Sequence, residues 1–363
     1  MNTVFKQRLR LSLILTALLA GQALAQPAFV SPLDMPAAQS SQAIHAPLNA
    51  LAQAGGRLIA AGQRGHILFS DDSTTWVQAQ VPVSSDLTAL MFPSASQGWA
   101  VGHEGVVLHS SDAGKTWRKQ LDGRQIAALL LKHYGNPANP DDPEAQRLKQ
   151  DAELFAQQGA DKPLLDVWFT DERSGFVTGA FNLILHTEDG GQSWTPWQDR
   201  VDNPRSMHLY GLRPAAGTLF MVAEQGLVLK LDAASQRFVK VQLPYEGTLF
   251  GVLGDDQLVL VYGLRGNALR SLDGGANWSK VDTGIEAGIT SGLIAADGTI
   301  VLASQTGQLL RSTDRGATFS RVALDRVAPN FAVAAVADGA VALAGLGGVR
   351  VQSLQLNKNA GEL

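Results

Sequence analysis

Short runs of apolar residues recur along the whole chain, separated by turns that are rich in Gly, Asp and Ser. Runs of about four to six residues predict β-strands rather than helices. Partial alternation of apolar and polar positions, as in "GVVLHS" and "GQLLRS", supports strands with one face packed on a neighbouring sheet. The 37 glycines of the 363 residues supply the many tight turns that such strands need. The pattern predicts an all-β fold.

The runs also repeat at a fixed distance. Each unit contains four short strands, named A to D here, and a turn with a glycine or asparagine between strands B and C. Most of these turn residues lie about 41 residues apart. They are Gly65, Gly105, Asn182, Gly226, Gly266, Gly307 and Gly348. Seven such units predict a seven-bladed β-propeller with four-stranded antiparallel blades over residues 26–357, followed by a polar tail at 358–363. The seventh unit lacks a strand D, and we expect Phe29 to Leu33 to supply it.

One interval is about 37 residues longer than the others and places an insertion at residues 124–162, between the second and third blades. "RQIAALLLKHYG" has a helical apolar period, and the next segment offers Asp142 as N-cap, Pro143 at the first helical position and Gly159 as C-cap. We expect a pair of helices beside the mouth of the central channel. They could bind a partner or only fill space.

The C–D turns share a pattern of the form Ser-x-Asp-x-Gly-x-Thr-Trp. Asp and Ser side chains in such turns accept backbone N–H groups, and the aromatic residue packs between blades. Because the aspartates recur one per blade around the ring, they cannot meet in a catalytic or metal site. We therefore assign a structural role to Asp71, Trp76, Asp112, Trp117, Asp189, Trp194, Asp273, Trp278, Asp314 and Phe319.

This turn resembles the Asp-box, or bacterial neuraminidase (BNR) repeat. Seven degenerate Asp-box blades with the core "GxxGxLLxSxDGGxxW" resemble the family of photosystem II assembly and stability factors and their bacterial relatives. The resemblance covers nearly all of the chain after residue 25 except the insertion. It implies a non-enzymatic scaffold for a membrane-protein complex or transporter, with arginines on one propeller face; Arg64, Arg205, Arg265 and Arg326 are the candidates here.

The B–C turns and D–A connections emerge on one face of a propeller, where unlike residues can converge on the channel mouth. In this chain they are basic and aromatic, which suits an acidic partner segment. The predicted partner-binding residues are Arg64, His103, Glu104, Phe181, Arg205, His208, Tyr210, Tyr245, Arg265 and Arg326. Ordinary solvated loops are the simpler alternative.

A glycoside hydrolase of the sialidase type is a second hypothesis, because Asp-boxes also occur in sialidases. Those enzymes use a tyrosine nucleophile, for which Tyr210 or Tyr245, with Glu224 as partner, would be the candidates. Sialidase propellers have six blades, and their N-terminal arginine motif is missing here. No catalytic residue, metal or cofactor is assigned, since the seven histidines have no ligand spacing and no cysteine occurs.

Residues 1–25 fit a cleavable signal peptide, with a basic start (Lys6, Arg8 and Arg10), an apolar core and "ALA" before the expected cleavage site. We expect export to the periplasm, or secretion as the second choice. Cleavage would remove three cations from a chain that already has a net charge of −4. Such an acidic protein is unsuited to nucleic acid. We expect a monomer that does not span the membrane and binds a protein.

Overall fold

The computed structural model describes residues 29–324, 326–336 and 339–354. The expected signal peptide and the polar tail lie outside these residues. The chain divides into two units, Met1–Ser31 and Pro32–Leu363. Residues 29–31 of the first unit have no regular secondary structure. The second unit contains seven antiparallel sheets, so the predicted propeller is confirmed.

The first four blades follow the predicted order A-B-C-D, with each strand paired to the next. Their strands are β1 (Leu48–Ala54), β2 (Arg57–Gly62), β3 (Ile67–Ser70) and β4 (Val77–Gln78); β5 (Leu87–Met91), β6 (Gly98–Gly102), β7 (Val107–Ser110) and β8 (Arg118–Leu121); β9 (Leu164–Phe169), β10 (Gly175–Gly179), β11 (Ile184–Thr187) and β12 (Thr195–Pro196); β13 (Leu209–Ala215), β14 (Thr218–Ala223), β15 (Val228–Asp232) and β16 (Arg237–Val241).

Blades five and six have the same four-stranded order, and the described part of blade seven has three strands. These strands are β17 (Leu249–Gly254), β18 (Val259–Gly263), β19 (Ala268–Ser271) and β20 (Ser279–Val281); β21 (Ile289–Ile294), β22 (Ile300–Ser304), β23 (Leu309–Ser312) and β24 (Ser320–Arg321); β25 (Asn330–Val336), β26 (Ala340–Gly345) and β27 (Gly348–Ser353). Strand B of every blade is almost entirely buried, because apolar layers cover both of its faces.

The expectation that Phe29 to Leu33 forms the outer strand of blade seven is wrong. Pro32–Asp34 forms a 3-10 turn, and Leu33 is buried with core residues of blades one and two. The Lys119 ammonium donates to the Leu33 carbonyl at 2.8 Å, and Arg124 pairs with both oxygens of Asp34 at 2.9 Å. These charged anchors hold the segment beside blade two.

The predicted helical insertion is confirmed as α1 (Gly123–Tyr134) and α2 (Pro143–Gln158). Asp122 starts α1 with a capping box, while Asp142, Pro143 and Gly159 occupy the expected terminal positions of α2. The apolar faces of both helices join one core with blades two and three, to which Leu130, Leu148 and Phe155 contribute. The Tyr134 hydroxyl donates to Asp199 at 2.7 Å and fixes α1 on blade three. The insertion is therefore packed on the ring.

Candidate functional site

The B–C turn of blades one to five is a short 3-10 turn with the same backbone in each. The residue at its apex is left-handed, with φ between 54° and 56°, yet in these five blades it is never glycine. The apex residues are Arg64, Glu104, Phe181, Gln225 and Arg265. A left-handed conformation costs a non-glycine residue roughly 1–2 kcal/mol. All five are exposed or half-exposed, so the strained turns present side chains of four kinds to solvent.

The glycine after the apex explains the repeated anchor of the sequence. It is also left-handed, and it lies against the D–A connection that follows its blade. A Cβ on Gly226 would approach the Tyr245 carbonyl to 1.8 Å, and a Cβ on Gly266 would approach the Ile285 carbonyl to 2.0 Å. The B–C turns and D–A connections therefore lie together on one face, called the open face here. The opposite face, with the A–B and C–D turns, is called the box face.

The arginines of the open face carry unpaired positive charge. Arg64, Arg205, Arg265 and Arg326 are all exposed. Within the described ranges, the guanidinium groups of Arg64, Arg265 and Arg326 make no hydrogen bond or ion pair, and Arg205 contacts only the Met207 sulfur at 3.9 Å. They stand on different blades, so the ring spreads them around its rim instead of bringing them to one point.

An aromatic row runs from the insertion towards the channel. The Lys162 ammonium lies 5.7 Å from the Phe181 ring centre, and Phe181 meets the His208 ring at 4.6 Å. His208 lies 6.3 Å from Tyr210, whose ring contacts Phe250 edge-on at 5.7 Å. The structure thus brings together three predicted residues, Phe181, His208 and Tyr210. Phe250 was missed, because one phenylalanine in an apolar strand gives no functional signal.

Glu224 organises the middle of this row. One of its carboxylate oxygens accepts the His208 backbone N–H at 2.9 Å and lies 3.3 Å from the His208 Nδ1. Burial raises the pKa of the Tyr210 hydroxyl, and the negative charge of Glu224 raises it further. A sialidase-type nucleophile would need a general base in hydrogen-bond contact with its hydroxyl, and the Tyr210 hydroxyl has no such contact among the described residues. Tyr245 also has a raised pKa through burial, and its hydroxyl contacts the Leu264 carbonyl at 3.3 Å.

A groove on the outer part of the open face joins two other predicted residues. Arg205 and Tyr245 line a cavity of about 490 Å³ with Met207, Gln225 and Lys240. Its walls combine apolar and charged side chains. His103 and Glu104 stand apart from this groove on blade two.

The central channel contains a charged pair that sequence reasoning missed. Arg213 on β13 pairs with Asp166 on β9 at 2.5 Å, and its guanidinium lies 5.5 Å from the Trp168 ring centre. Asp166 is 4% exposed and also accepts the Leu212 N–H at 2.8 Å. Although burial opposes the charge of Arg213, the attraction of Asp166 keeps its pKa raised. An aspartate inside "LLDVWF" was the available signal, because ionised residues are rare in buried strands.

The residues assigned to the Asp-boxes lie on the box face. Asp112, Asp189, Asp273 and Asp314 each accept a Ser or Thr hydroxyl two residues before and a backbone N–H four residues after. Trp117 and Trp194 are 6% exposed, while Trp76, Trp278 and Phe319 are half-buried. Each of these aromatic residues packs in the core shared with the preceding blade.

The assignment of Asp71 is wrong. In the first blade Asp72 accepts Ser70 Oγ at 3.1 Å and the N–H groups of Thr74 and Thr75. Asp71 instead forms a two-bond ion pair with Arg57 at 2.7 and 2.9 Å. This turn is one residue shorter between the aspartate and the tryptophan than the other boxes, so counting back from Trp76 selects the wrong aspartate.

The described ranges contain no cluster of three or more His, Asp or Glu residues suited to a metal ion. Among the same residues, no helix is both long and apolar enough to cross a bilayer.

Comparison with known proteins places these features in context. Residues 154–248 match the family described as Photosynthesis system II assembly factor YCF48. A relative from Synechococcus sp. (strain CC9902), named Photosystem II assembly lipoprotein Ycf48, is 27% identical over 118 residues, which are 31% of this chain and 35% of the relative. The solved structure of YCF48 bound to D1 peptide superimposes with a TM-score of 0.62 at 15% identity, over 86% of this chain and 94% of that one. This chain is a BNR propeller that is similar to the photosystem II assembly factors.

The matched region spans about a third of the curated relative, so the likeness to that protein is local. The BNR propeller also superimposes on a streptogramin B lyase with a TM-score of 0.63 at 12% identity, over 85% of this chain and 95% of that one. Because one fold serves both a peptide-binding protein and a lyase, the fold alone does not decide the activity. The chemistry of the open face has to decide it.

Proposed function

We propose that this BNR propeller is a non-enzymatic accessory protein of the periplasm, and that it holds a segment of a membrane protein or transporter complex on its open face. The observation that carries the proposal is the unpaired charge of Arg64, Arg265 and Arg326 on an acidic protein. Unpaired arginines attract acidic segments over long range and bind carboxylates through two parallel N–H groups.

The contrast with other basic side chains supports this reading. Arg57 pairs with Asp71, and Arg315 on the box face pairs with Asp255 at 2.7 Å. Carboxylates therefore pair with the guanidinium groups of these two arginines, whereas no described carboxylate pairs with the guanidinium groups of Arg64, Arg265 or Arg326. The solved YCF48 carried a D1 peptide, which is a precedent for a peptide ligand on a similar propeller.

A non-enzymatic role agrees with the environment of the candidate nucleophiles. Among the described residues, the Tyr210 hydroxyl makes no hydrogen bond to a general base that could activate it, and burial raises its pKa. Arg213, which is the one arginine among the described residues that line the channel, pairs with Asp166 and does not offer a free guanidinium to a substrate carboxylate. The described residues thus lack an activated tyrosine beside an open arginine cluster.

The periplasmic assignment rests on the signal-like residues 1–25 and on the export of similar proteins implied by the name lipoprotein. Cell fractionation tests it. We expect the chain in the periplasmic fraction, shortened by about 25 residues, which is the length of a typical signal peptide. Recovery of an uncleaved chain from the cytoplasm would contradict this assignment.

The decisive experiment replaces three open-face arginines at once. The tagged protein is crosslinked in the cells that produce it, and bound proteins are recovered and quantified. We expect the variant Arg64→Glu/Arg265→Glu/Arg326→Glu to lower partner recovery at least about tenfold, because the attraction for an acidic segment becomes repulsion. Lys115→Glu/Arg173→Glu/Lys280→Glu is the matched control, since it adds the same negative charge at exposed positions away from the open face. Equal recovery with both variants would refute the proposal.

A further inference from the structure

The second residue of strand A has the same unusual backbone in every blade. In all seven sheets the A–B pairing skips this residue, which makes it a β-bulge. The seven bulge residues line the central channel where strand A enters from the open face, and all are half-buried. This set, called the mouth ring here, consists of Asn49, Thr88, Leu165, Tyr210, Phe250, Thr290 and Phe331. Bulges re-aim side chains and are common beside functional sites.

In three blades the mouth ring ties neighbouring blades together. Asn49 Nδ2 donates to the Leu87 carbonyl at 2.8 Å, Thr88 Oγ1 donates to the Leu164 carbonyl at 2.7 Å, and Thr290 Oγ1 donates to the Asn330 carbonyl at 2.8 Å. The acceptor is in each case the first residue of strand A in the next blade. A polar side chain at this position therefore has a structural use, which is to close the ring.

Among the described residues, blades three, four, five and seven do not have this bond. Their mouth-ring residues are Leu165, Tyr210, Phe250 and Phe331, whose side chains cannot replace the short donors of the other blades. The first three of them stand on adjacent blades. Three adjacent blades thus exchange an inter-blade hydrogen bond for apolar side chains that are left half-exposed at the opening of a cavity of about 540 Å³. Exposed apolar residues grouped in a concave site mark a binding surface.

The surroundings of this apolar sector define what fits it. The Tyr210 hydroxyl has no hydrogen-bond partner among the described residues, so it is free to bond a ligand. The aromatic row leads from Phe181 on the rim through His208 into the sector. Among the described residues that line the cavity, Asp166 and Arg213 pair with each other, and Glu224 beside the sector accepts the His208 backbone N–H. Arg64, Arg265 and Arg326 lie outside the cavity, on the turns and connections of the open face. We expect these arginines to favour acidic residues on either side of an apolar one.

We infer that the sector formed by Leu165, Tyr210 and Phe250 is a pocket for one large apolar side chain of an extended acidic segment, which the open-face arginines hold on either side. The inference rests on the proposed function and adds a sequence requirement to it. Burial of one large apolar side chain corresponds to an affinity gain of about tenfold or more.

The test uses the purified full-length protein and two synthetic peptides of eleven residues built from Asp, Glu, Gly and Ser, one with Phe at its centre and one with Ser there. Fluorescence anisotropy gives both dissociation constants. We expect the Phe peptide to bind at least about tenfold more tightly than the Ser peptide. Phe250→Thr should reduce this preference below about threefold while keeping the melting temperature, because Thr there can donate to the Ile289 carbonyl as Thr88 and Thr290 donate in their blades. Tyr210→Thr, facing Leu249, serves if the first variant does not fold.

Thr290→Val is the matched control. It removes an inter-blade bond outside the apolar sector, so we expect a lower melting temperature and an unchanged preference for the Phe peptide. If both peptides bind equally and lose affinity in the three-arginine variant, the pocket is refuted while the proposed function stands. If neither peptide binds, both are refuted.

Discussion

The two faces of the ring use the same repeat in opposite ways. On the box face the carbonyl of the residue after the box aspartate accepts a side chain of the preceding blade in four blades, and the donors are Arg57, Gln120, Lys230 and Arg270. Three of these four donors are basic, so they use their charge to join blades. On the open face the guanidinium groups of Arg64, Arg265 and Arg326 make no hydrogen bond or ion pair with any described residue.

The faces also differ in what stays constant from blade to blade. At the boxes the side chains repeat, because Ser or Thr, Asp and an aromatic residue make the same bonds each time. At the B–C apex the backbone repeats while the side chain changes from Arg to Glu, Phe and Gln. Repetition of side chains indicates a structural part. A repeated backbone with varied side chains gives each blade a different surface, which the proposed binding of one asymmetric partner requires.

The largest expected effect lies in the box aromatic residues. Trp117 is 6% exposed, packs edge-on against Phe92 at 5.8 Å and donates its indole N–H to the Gly114 carbonyl at 3.0 Å. Replacing it by alanine leaves a cavity between blades one and two, so we expect Trp117→Ala to lower the free energy of unfolding by about 3–5 kcal/mol in urea titrations. Peptide binding by the remaining folded protein should not change.

Trp76→Ala is the comparison for this variant, because Trp76 is only half-buried and should cost less. A loss below about 1 kcal/mol for Trp117→Ala would be typical of a surface residue and would remove the distinction between the faces.

The second effect concerns pH and the box face. Burial lowers the pKa of His109 to about 4, with a further contribution from Arg118. The unfolded chain takes up a proton near pH 6.5, whereas the folded chain stays neutral there until about pH 4. Stability should therefore fall as the pH decreases from about 6.5 to about 4, by up to about 3 kcal/mol from this residue. In His109→Gln, urea titrations at both pH values should show a smaller fall, and an equal fall would contradict the account.

The sequence repeat predicts the ring of blades and most of its box face, because both depend on residues that recur along the chain. Gly226 and Gly348 are fixed by left-handed turns and close backbone contacts, so their spacing reveals every blade. An error arose where the repeat changes length, as at Asp71 and Asp72. The strand expected from Phe29 to Leu33 also failed, because its anchors, Lys119 and Arg124, are distant in sequence.

The candidate site was harder to predict from the sequence, because much of it does not depend on recurring residues. Arg64, Phe181 and Arg265 could be placed on the open face by counting strands, since their turns follow the repeat. Asp166 and Arg213 meet only because two blades bring their innermost strands together. The mouth ring depends on bulges, which no residue type signals in a single sequence. The polar and apolar residues of the mouth ring can be recognised as equivalent positions only when the seven A strands are superimposed.

The smallest expected effect is a change in the free energy of unfolding, and it distinguishes the open face from the box face most clearly. Arg64 and Arg265 have a left-handed backbone, with φ of 55°, which is strained for arginine and unstrained for glycine. Glycine also has a larger entropy loss on folding, of about 0.5–1 kcal/mol, so Arg64→Gly and Arg265→Gly should stabilise the fold by at most about 1 kcal/mol. Both variants should nevertheless weaken binding of the acidic Phe peptide.

Ala113 on the box face has the same left-handed backbone, with φ of 58°, where blades three and five carry Gly190 and Gly274. Ala113→Gly should give the same small rise in the free energy of unfolding with unchanged binding. If the arginine variants instead lose stability, their side chains hold the turn together, and the open face is structural after all.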